Sequence, residues 1–410
     1  MLVYLPVPLE RVQLGAAFPV DVWSPDGRLL LRRGQVLQST AHRDMLASHQ
    51  ACMTETDAQA WQKSLERAMR QQRARGVEMA QIANTHMPSE ILDSDYLEGR
   101  AVDGGWLDLQ EILRGLLYQG ADANAPLARL EGIELKALSL LAGDPDDSLF
   151  VLFQALPELS LGYCATHALL SGAVAALTAN KLGLPNDSQA LLLRSALVMN
   201  IGMARPQDTL ARQQRPPNAQ QKQLIELHAP TSVEILRGFG TADDALFDMV
   251  HWHHLPDLLA GKEAAVAIDN LHLLNLADVL VAKMSPRTSR AAMTSVGVAK
   301  WLLMQNSPST AVLRPAMASV LGFYPPGTYV QLQNGEIAVV IQRGLRANTP
   351  HVASIMNANG MALSKYVYRD TGAAGNPLFA VRAPLPSSAV HIRVSLEKVR
   401  RMRQQHGISP

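Results

Sequence analysis

The sequence predicts a mainly α protein with a small β-rich module at each end. Three observations carry this expectation. Helical periodicity of apolar residues dominates from Leu107 to about Met304, apolar and polar residues alternate around Asp26-Gly27, and the alternation returns on either side of Asn334-Gly335. The 410 residues leave room for two or three domains and at least one large core. Apolar residues make up 48% of the chain and charged ones 18%, the balance of a globular protein rather than a disordered one.

The elements follow in order. Val20, Val22, Leu29 and Leu31 flank Ser24-Pro25-Asp26-Gly27, a hairpin signal, and a second short strand is expected after Gly34. A β-rich N-terminal module is therefore expected over 1–55. From Asp57 to about Ala83, Trp61, Leu65 and Met69 recur every four residues while Lys63, Arg67, Arg70, Arg73 and Arg75 occupy other faces. This reads as a linker helix or a signalling and dimerising one. After a loop around Gly99 and Gly104-Gly105, helical stretches follow through Leu107 to Leu117 and Leu127 to Leu141, and together they form a linker and signalling region over 56–143. Asp144-Pro145 supplies an N-cap and a first-turn proline for a helix through Leu149 and Phe153. A helical core is expected over 144–318, with turns at Leu184-Pro185-Asn186-Asp187 and Arg215-Pro216-Pro217. The β appendage and a helical basic tail fill 319–410, with strands at Tyr329–Gln333 and Glu336–Val340 and around Val352, Tyr366 and Val390. In the tail, Lys398, Arg400, Arg401 and Arg403 read as a solvated helix face.

Composition narrows the function. With 37 basic against 36 acidic residues, no global attraction to nucleic acid or to an anionic membrane is expected. Cys52 and Cys164 form no CxxC pattern, which argues against a disulfide framework or zinc ribbon and for a reduced, cytoplasmic compartment. The N-terminus lacks a basic n-region and a long apolar run, so no signal peptide is expected. Ala168 to Leu184 is the best candidate for a membrane span, but it is short and interrupted by Asn180 and Lys181, and it reads as a buried helix.

His167, His228, His253, His254 and Asp278 share an order and spacing with the ligands of a metal-dependent phosphohydrolase. Together with Ala282 and Arg287, they make the stretch from Tyr163 to Arg290 resemble the HD-GYP branch of the HD phosphohydrolases, whose active members hydrolyse cyclic di-GMP. The resemblance implies an all-helical HD-type core in which metal ions activate water and neutralise phosphate charge. It extends more weakly to Gly322-Phe323-Tyr324-Pro325-Pro326-Gly327 and Asn334-Gly335-Glu336.

The central signature, His-Asp-Ile-Gly-Lys in that family, here reads Met199-Asn200-Ile201-Gly202-Met203. Asn200 is neutral and cannot bridge two cations, and the Met199 thioether is a soft ligand poorly suited to Fe(II), Mn(II) or Zn(II). The motif is thus degenerate at Met199, Asn200 and Met203. Tyr163 stands where some members carry a glutamate ligand, and Leu255 to Gly261 lacks the Gly-Tyr-Pro loop. As remnant metal ligands the resemblance leaves His228, His253, His254, Asp278 and His167, with His251 able to join them. They would hold one divalent ion of zinc, iron or manganese, or no ion and a hydrogen-bonded polar pocket. Arg287 is expected either to contact a phosphate or to pair with an acidic neighbour.

The function expected is that of a cyclic di-GMP type signalling protein whose degenerate domain no longer hydrolyses and works as a protein-interaction or ligand-sensing module. The alternative is a phosphodiesterase or phosphohydrolase with a reduced, mononuclear metal site. The partners expected are a signalling protein, a cyclic dinucleotide and a second copy of the chain.

Overall fold

The computed structural model describes residues 4–74, 78, 81–82, 84–91, 104–259, 265–304, 307–373 and 377–408. They fall into two compact units, Met1–Gly104 and Gly105–Pro410. The fold is mainly α, with one antiparallel sheet towards each end of the chain.

In the first unit β1 (Tyr4–Pro6), β2 (Val22–Trp23), β3 (Leu29–Leu31) and β4 (Cys52–Thr54) form a sheet of order β1-β4-β2-β3. The β2-β3 hairpin turns at Gly27, whose φ of +85° only glycine adopts readily. Helix α1 (Thr40–Ser48), which the alternation pattern does not reveal, starts at Ser39, whose side chain accepts from the His42 N–H. On α2 (Glu55–Ala74) the apolar stripe turns inward, so that Trp61 and Leu65 bury with Phe18, Leu37 and Leu46. The Trp61 indole donates to Pro88 O at 2.7 Å, which satisfies its N–H. Arg75 and the loop expected around Gly99 lie outside the described residues, as do the side chains of Lys63, Arg67, Arg70 and Arg73.

The second unit opens with α3 (Trp106–Gln119), α4 (Pro126–Gly143), α5 (Pro145–Ala155), α6 (Tyr163–Lys181), α7 (Asn186–Val198), α8 (Ala204–Arg212), α9 (Ala219–Gly238), α10 (Asp244–Trp252), α11 (Ile268–Met284), α12 (Ser295–Met304) and α13 (Leu313–Leu321). Helix α6 is central, packing on α3, α5, α7, α8, α11 and α13. Its small residues permit this: a Cβ added at Gly172 would lie 2.6 Å from Leu193 Cδ1 on α7. This helix contains most of the apolar run from Ala168, and it is buried almost throughout. Among the described residues no helix is long and apolar enough to cross a membrane.

The start of α6 has no cap of its own, since Gly162 precedes it. Asp208 on α8 supplies one from a distance, its Oδ1 accepting from the Cys164 N–H at 2.6 Å while its other oxygen accepts from the Tyr118 hydroxyl. Burial raises the Asp208 carboxyl above its ordinary range against these hydrogen bonds, and burial likewise raises the Cys164 thiol, leaving it inert.

The chain then forms β5 (Tyr329–Leu332), β6 (Ile337–Gln342), β7 (His351–Met356), β8 (Ala362–Asp370) and β9 (Val381–Leu385), ordered β8-β7-β6-β5-β9. The hairpin at Asn334-Gly335 is present, with Gly335 at φ +86°. The strand expected around Val390 lies earlier, at β9, because β5 pairs with Val381–Leu385 and Val390 follows a 3-10 turn. The tail forms α14 (Leu396–Gln405), but its basic residues are not simply solvated. Arg400 pairs with Asp147 at 2.7 Å and Arg403 with Asp144 at 2.9 Å, both carboxylates belonging to the start of α5. The Arg403 side chain is only 3% exposed, so these partners compensate a buried charge.

Candidate metal centre

The histidines arrive on separate elements. His228 lies within α9, His253 is the C-cap of α10 with His254 directly after it, Asp278 lies on α11 and His167 on α6. Each of His228, His253 and His254 offers one ring nitrogen within 4.8 Å of the other two. Asp278 stands beside this triad, its Oδ2 3.9 Å from His254 Nδ1. His228 and His253 are buried, whereas the His254 side chain is 45% exposed and forms the open side.

The hydrogen bonds fix the ring tautomers at two positions. His228 Nδ1 lies 2.5 Å from Ile225 O and His253 Nδ1 lies 2.7 Å from Val250 O. A carbonyl oxygen only accepts, so both Nδ1 atoms carry the proton and both Nε2 atoms are bare in the neutral rings. Those two Nε2 atoms face each other at 3.2 Å. Two lone pairs so placed repel unless a cation lies between them. An Nδ1–H held by a backbone carbonyl is also the usual support of a metal-binding imidazole. The donor set therefore fits one ion of the borderline type that imidazole prefers.

Burial pulls His253 down from its ordinary 6.5 to about 3, helped by the charge of His254, and pulls His228 down as well. In Asp278 burial would raise the carboxyl, but the His167 hydrogen bond, aided by the neighbouring histidines, outweighs it and holds the group well below its ordinary range. A stability prediction follows for chelator-treated protein. An unfolded chain protonates both histidines near pH 6.5 while folding disfavours it, so stability is fully present above about 6.5 and declines as pH falls, for His253 toward about 3. The loss is about 1.4 kcal/mol per pH unit for each histidine in its window. Urea midpoints at pH 7.5, 6 and 5 should fall steadily; equal midpoints would contradict the assignment.

His167 points its Nε2 at Asp278 Oδ1, 2.7 Å away, rather than at the triad. Its Nδ1 lies 3.3 Å from the Tyr163 hydroxyl, which receives a hydrogen bond from Arg287 Nη2 at 3.0 Å. The Arg287 guanidinium also lies over the Tyr163 ring, 5.2 Å from its centroid. Arg287 thus bonds to a tyrosine, neither of the two partners expected for it. His251 stays outside the cluster, exposed with its ring edge-on to Trp252.

Met199, Asn200 and Met203 are all buried, at the turn between α7 and α8. The Ile201-Gly202 step has a packing role. The Gly202 N–H donates to Ser232 Oγ at 3.0 Å, and that hydroxyl donates to Met199 O at 3.0 Å, which fastens the turn to the helix of His228.

Several supporting residues escape sequence reasoning. Ser232 lies one helical turn beyond His228 and Asn275 one turn before Asp278; Asn275 Nδ2 donates to His253 O at 2.8 Å. Their helical spacing was the available signal. His272 reaches Asp257 at 3.4 Å and restrains the segment after His254. Asp208 gave no local signal. Ala260 and Gly261, in the stretch from Leu255 to Gly261 expected to lack Gly-Tyr-Pro, lie outside the described residues.

No protein-family model and no curated protein matches the chain. Among solved structures it is similar to an HDGYP protein from Bdellovibrio bacteriovorus, at 12% identity and a TM-score of 0.43, over 78% of this chain and 99% of that one. It is also similar to the HD domain of the phosphodiesterase PgpH from L. monocytogenes in complex with cyclic-di-AMP, at 15% identity and a TM-score of 0.28, over 45% of this chain and 94% of that one.

Proposed function

We propose that the chain is a cyclic-dinucleotide type signalling protein whose HD-GYP-like domain, over 144–318, has lost two-metal hydrolysis and acts as a ligand-sensing or protein-interaction module. In this reading His228, His253 and His254 hold one divalent ion with Asp278 beside them. The observation that carries it is the pair of bare imidazole nitrogens facing each other at 3.2 Å in a chain where the bridging carboxylate is Asn200. Paired divalent ions repel strongly, and a neutral carboxamide does not offset their charge. The groups that would grip phosphates are also diminished, since Met203 replaces a lysine and Arg287 is engaged by Tyr163.

The test combines elemental analysis with a binding and turnover assay. Protein expressed with zinc, iron or manganese should carry at most one ion per chain and leave cyclic di-GMP and its linear product uncleaved. Two ions per chain, with cleavage abolished by Asp278→Ala, would overturn the proposal. Calorimetry with cyclic di-GMP then separates ligand sensing, which gives saturable heat, from a purely protein-binding role, which gives none.

The exposure of His254 favours a second reading, a mononuclear phosphohydrolase open to solvent on that side. A bound divalent ion supplies Lewis acidity and lowers the pKa of coordinated water. This reading requires phosphate-ester hydrolysis that tracks zinc content and disappears in His254→Ala.

A further inference from the structure

We infer that His167 is not an ion ligand but a positioning residue, a donor that clamps Asp278 and presents its second carboxylate oxygen to the triad. This rests on the reading of His228, His253 and His254 as an ion site.

The inference comes from following the protons along one buried chain of hydrogen bonds. Arg287 can only donate, so the Tyr163 oxygen accepts from its Nη2 at 3.0 Å. The tyrosine proton is then free to go to His167 Nδ1, 3.3 Å away. With Nδ1 accepting, the ring proton sits on Nε2, which donates to Asp278 Oδ1 at 2.7 Å. The donors and acceptors run in one direction, from Arg287 to Tyr163 to His167 to Asp278, and both His167 nitrogens are engaged. His228 and His253 show the reverse arrangement, with Nδ1–H tied to a backbone carbonyl and Nε2 bare. The same residue type is therefore set up for two jobs by its neighbours.

Burial supports the assignment. Tyr163 is 2% exposed and His167 1% exposed, and their rings lie 5.3 Å apart. Freeing His167 to bind an ion would leave Asp278 Oδ1 without this donor in a buried place, a cost of about 1–3 kcal/mol. Held as it is, Oδ1 is occupied by His167 while Oδ2 lies 3.9 Å from His254 Nδ1. His167 is thus committed to protein hydrogen bonds and offers no nitrogen to a further cation. The site takes one ion.

The test uses the full chain and compares His167→Gln with His167→Ala. A glutamine amide can still donate to Asp278, but it does not replace an imidazole as a ligand. Zinc affinity, measured by competition with a chromogenic chelator, should be near wild type in His167→Gln and weaker by about 10–100-fold in His167→Ala, the usual effect of losing a supporting group. Equal weakening in both variants, or none in either, overturns the inference. A second measurement needs neither an ion nor a variant. Ring 15N NMR of the chelator-treated wild type should show the proton of His167 on Nε2, and those of His228 and His253 on Nδ1. A bare Nε2 on His167 overturns the clamp. If the wild type binds no zinc, the ion-site reading fails, and the ring spectrum still decides the clamp separately.

Discussion

Replacing Gly202 with alanine is expected to lower stability by about 2–3 kcal/mol, the upper range for overpacking a tight contact. It should also weaken ion binding at the histidines. A Cβ there would sit 2.7 Å from His228 O, 2.9 Å from Ser232 N and 3.0 Å from Thr231 Cβ. Two of the three are backbone atoms of α9, which no rotamer change can move aside. The helix must retreat as a body and take His228 with it, widening the 3.2 Å gap to His253. Urea unfolding and a zinc competition assay on the same preparation should both respond. A variant with the midpoint of the wild type would mean that the turn and α9 are not in this contact. The packing needs a glycine at this position whatever chemistry the residues around it carry.

Asp278→Ala is expected to cost about 3 kcal/mol, since it removes a hydrogen bond to a charged group and leaves the His167 N–H unmatched. Asp278→Asn, which keeps an acceptor oxygen, should lose less than half as much in the chelator-treated protein. Both should reduce zinc affinity, because each removes the negative charge beside the triad. Chemical denaturation with and without zinc separates the two effects. If alanine and asparagine are equally mild, the His167 bond contributes little to the fold.

Much of the architecture can be read from the sequence, for reasons visible in particular residues. Asp26-Gly27 and Asn334-Gly335 announce hairpins because few residues reach a positive φ, and both glycines have one. Asp144-Pro145 marks a helix start, and the Asp144 side chain does accept from the Asp147 N–H. The gathering of His228, His253 and His254 could be anticipated only from the resemblance, since spacing by itself does not say which helix faces meet.

What could not be read depends on contacts between distant segments. The bond between His167 and Asp278 spans 111 positions, and nothing local says that the ring faces the carboxylate rather than an ion. Tyr163 looked like the loss of a ligand and turns out to connect His167 with Arg287. Arg403 sat in what resembled an ordinary basic helix face, yet it is buried against Asp144. The strand expected near Val390 was displaced because β5 selected a partner that alternation alone could not rank.

The carbonyl contacts of His228 and His253 have a thermodynamic corollary. Each ring is tethered to the peptide group three positions upstream in its own helix, so its freedom to swivel disappears when the chain folds. A guest arriving between them finds its seats already aimed, and little additional ordering of those two side chains opposes its capture.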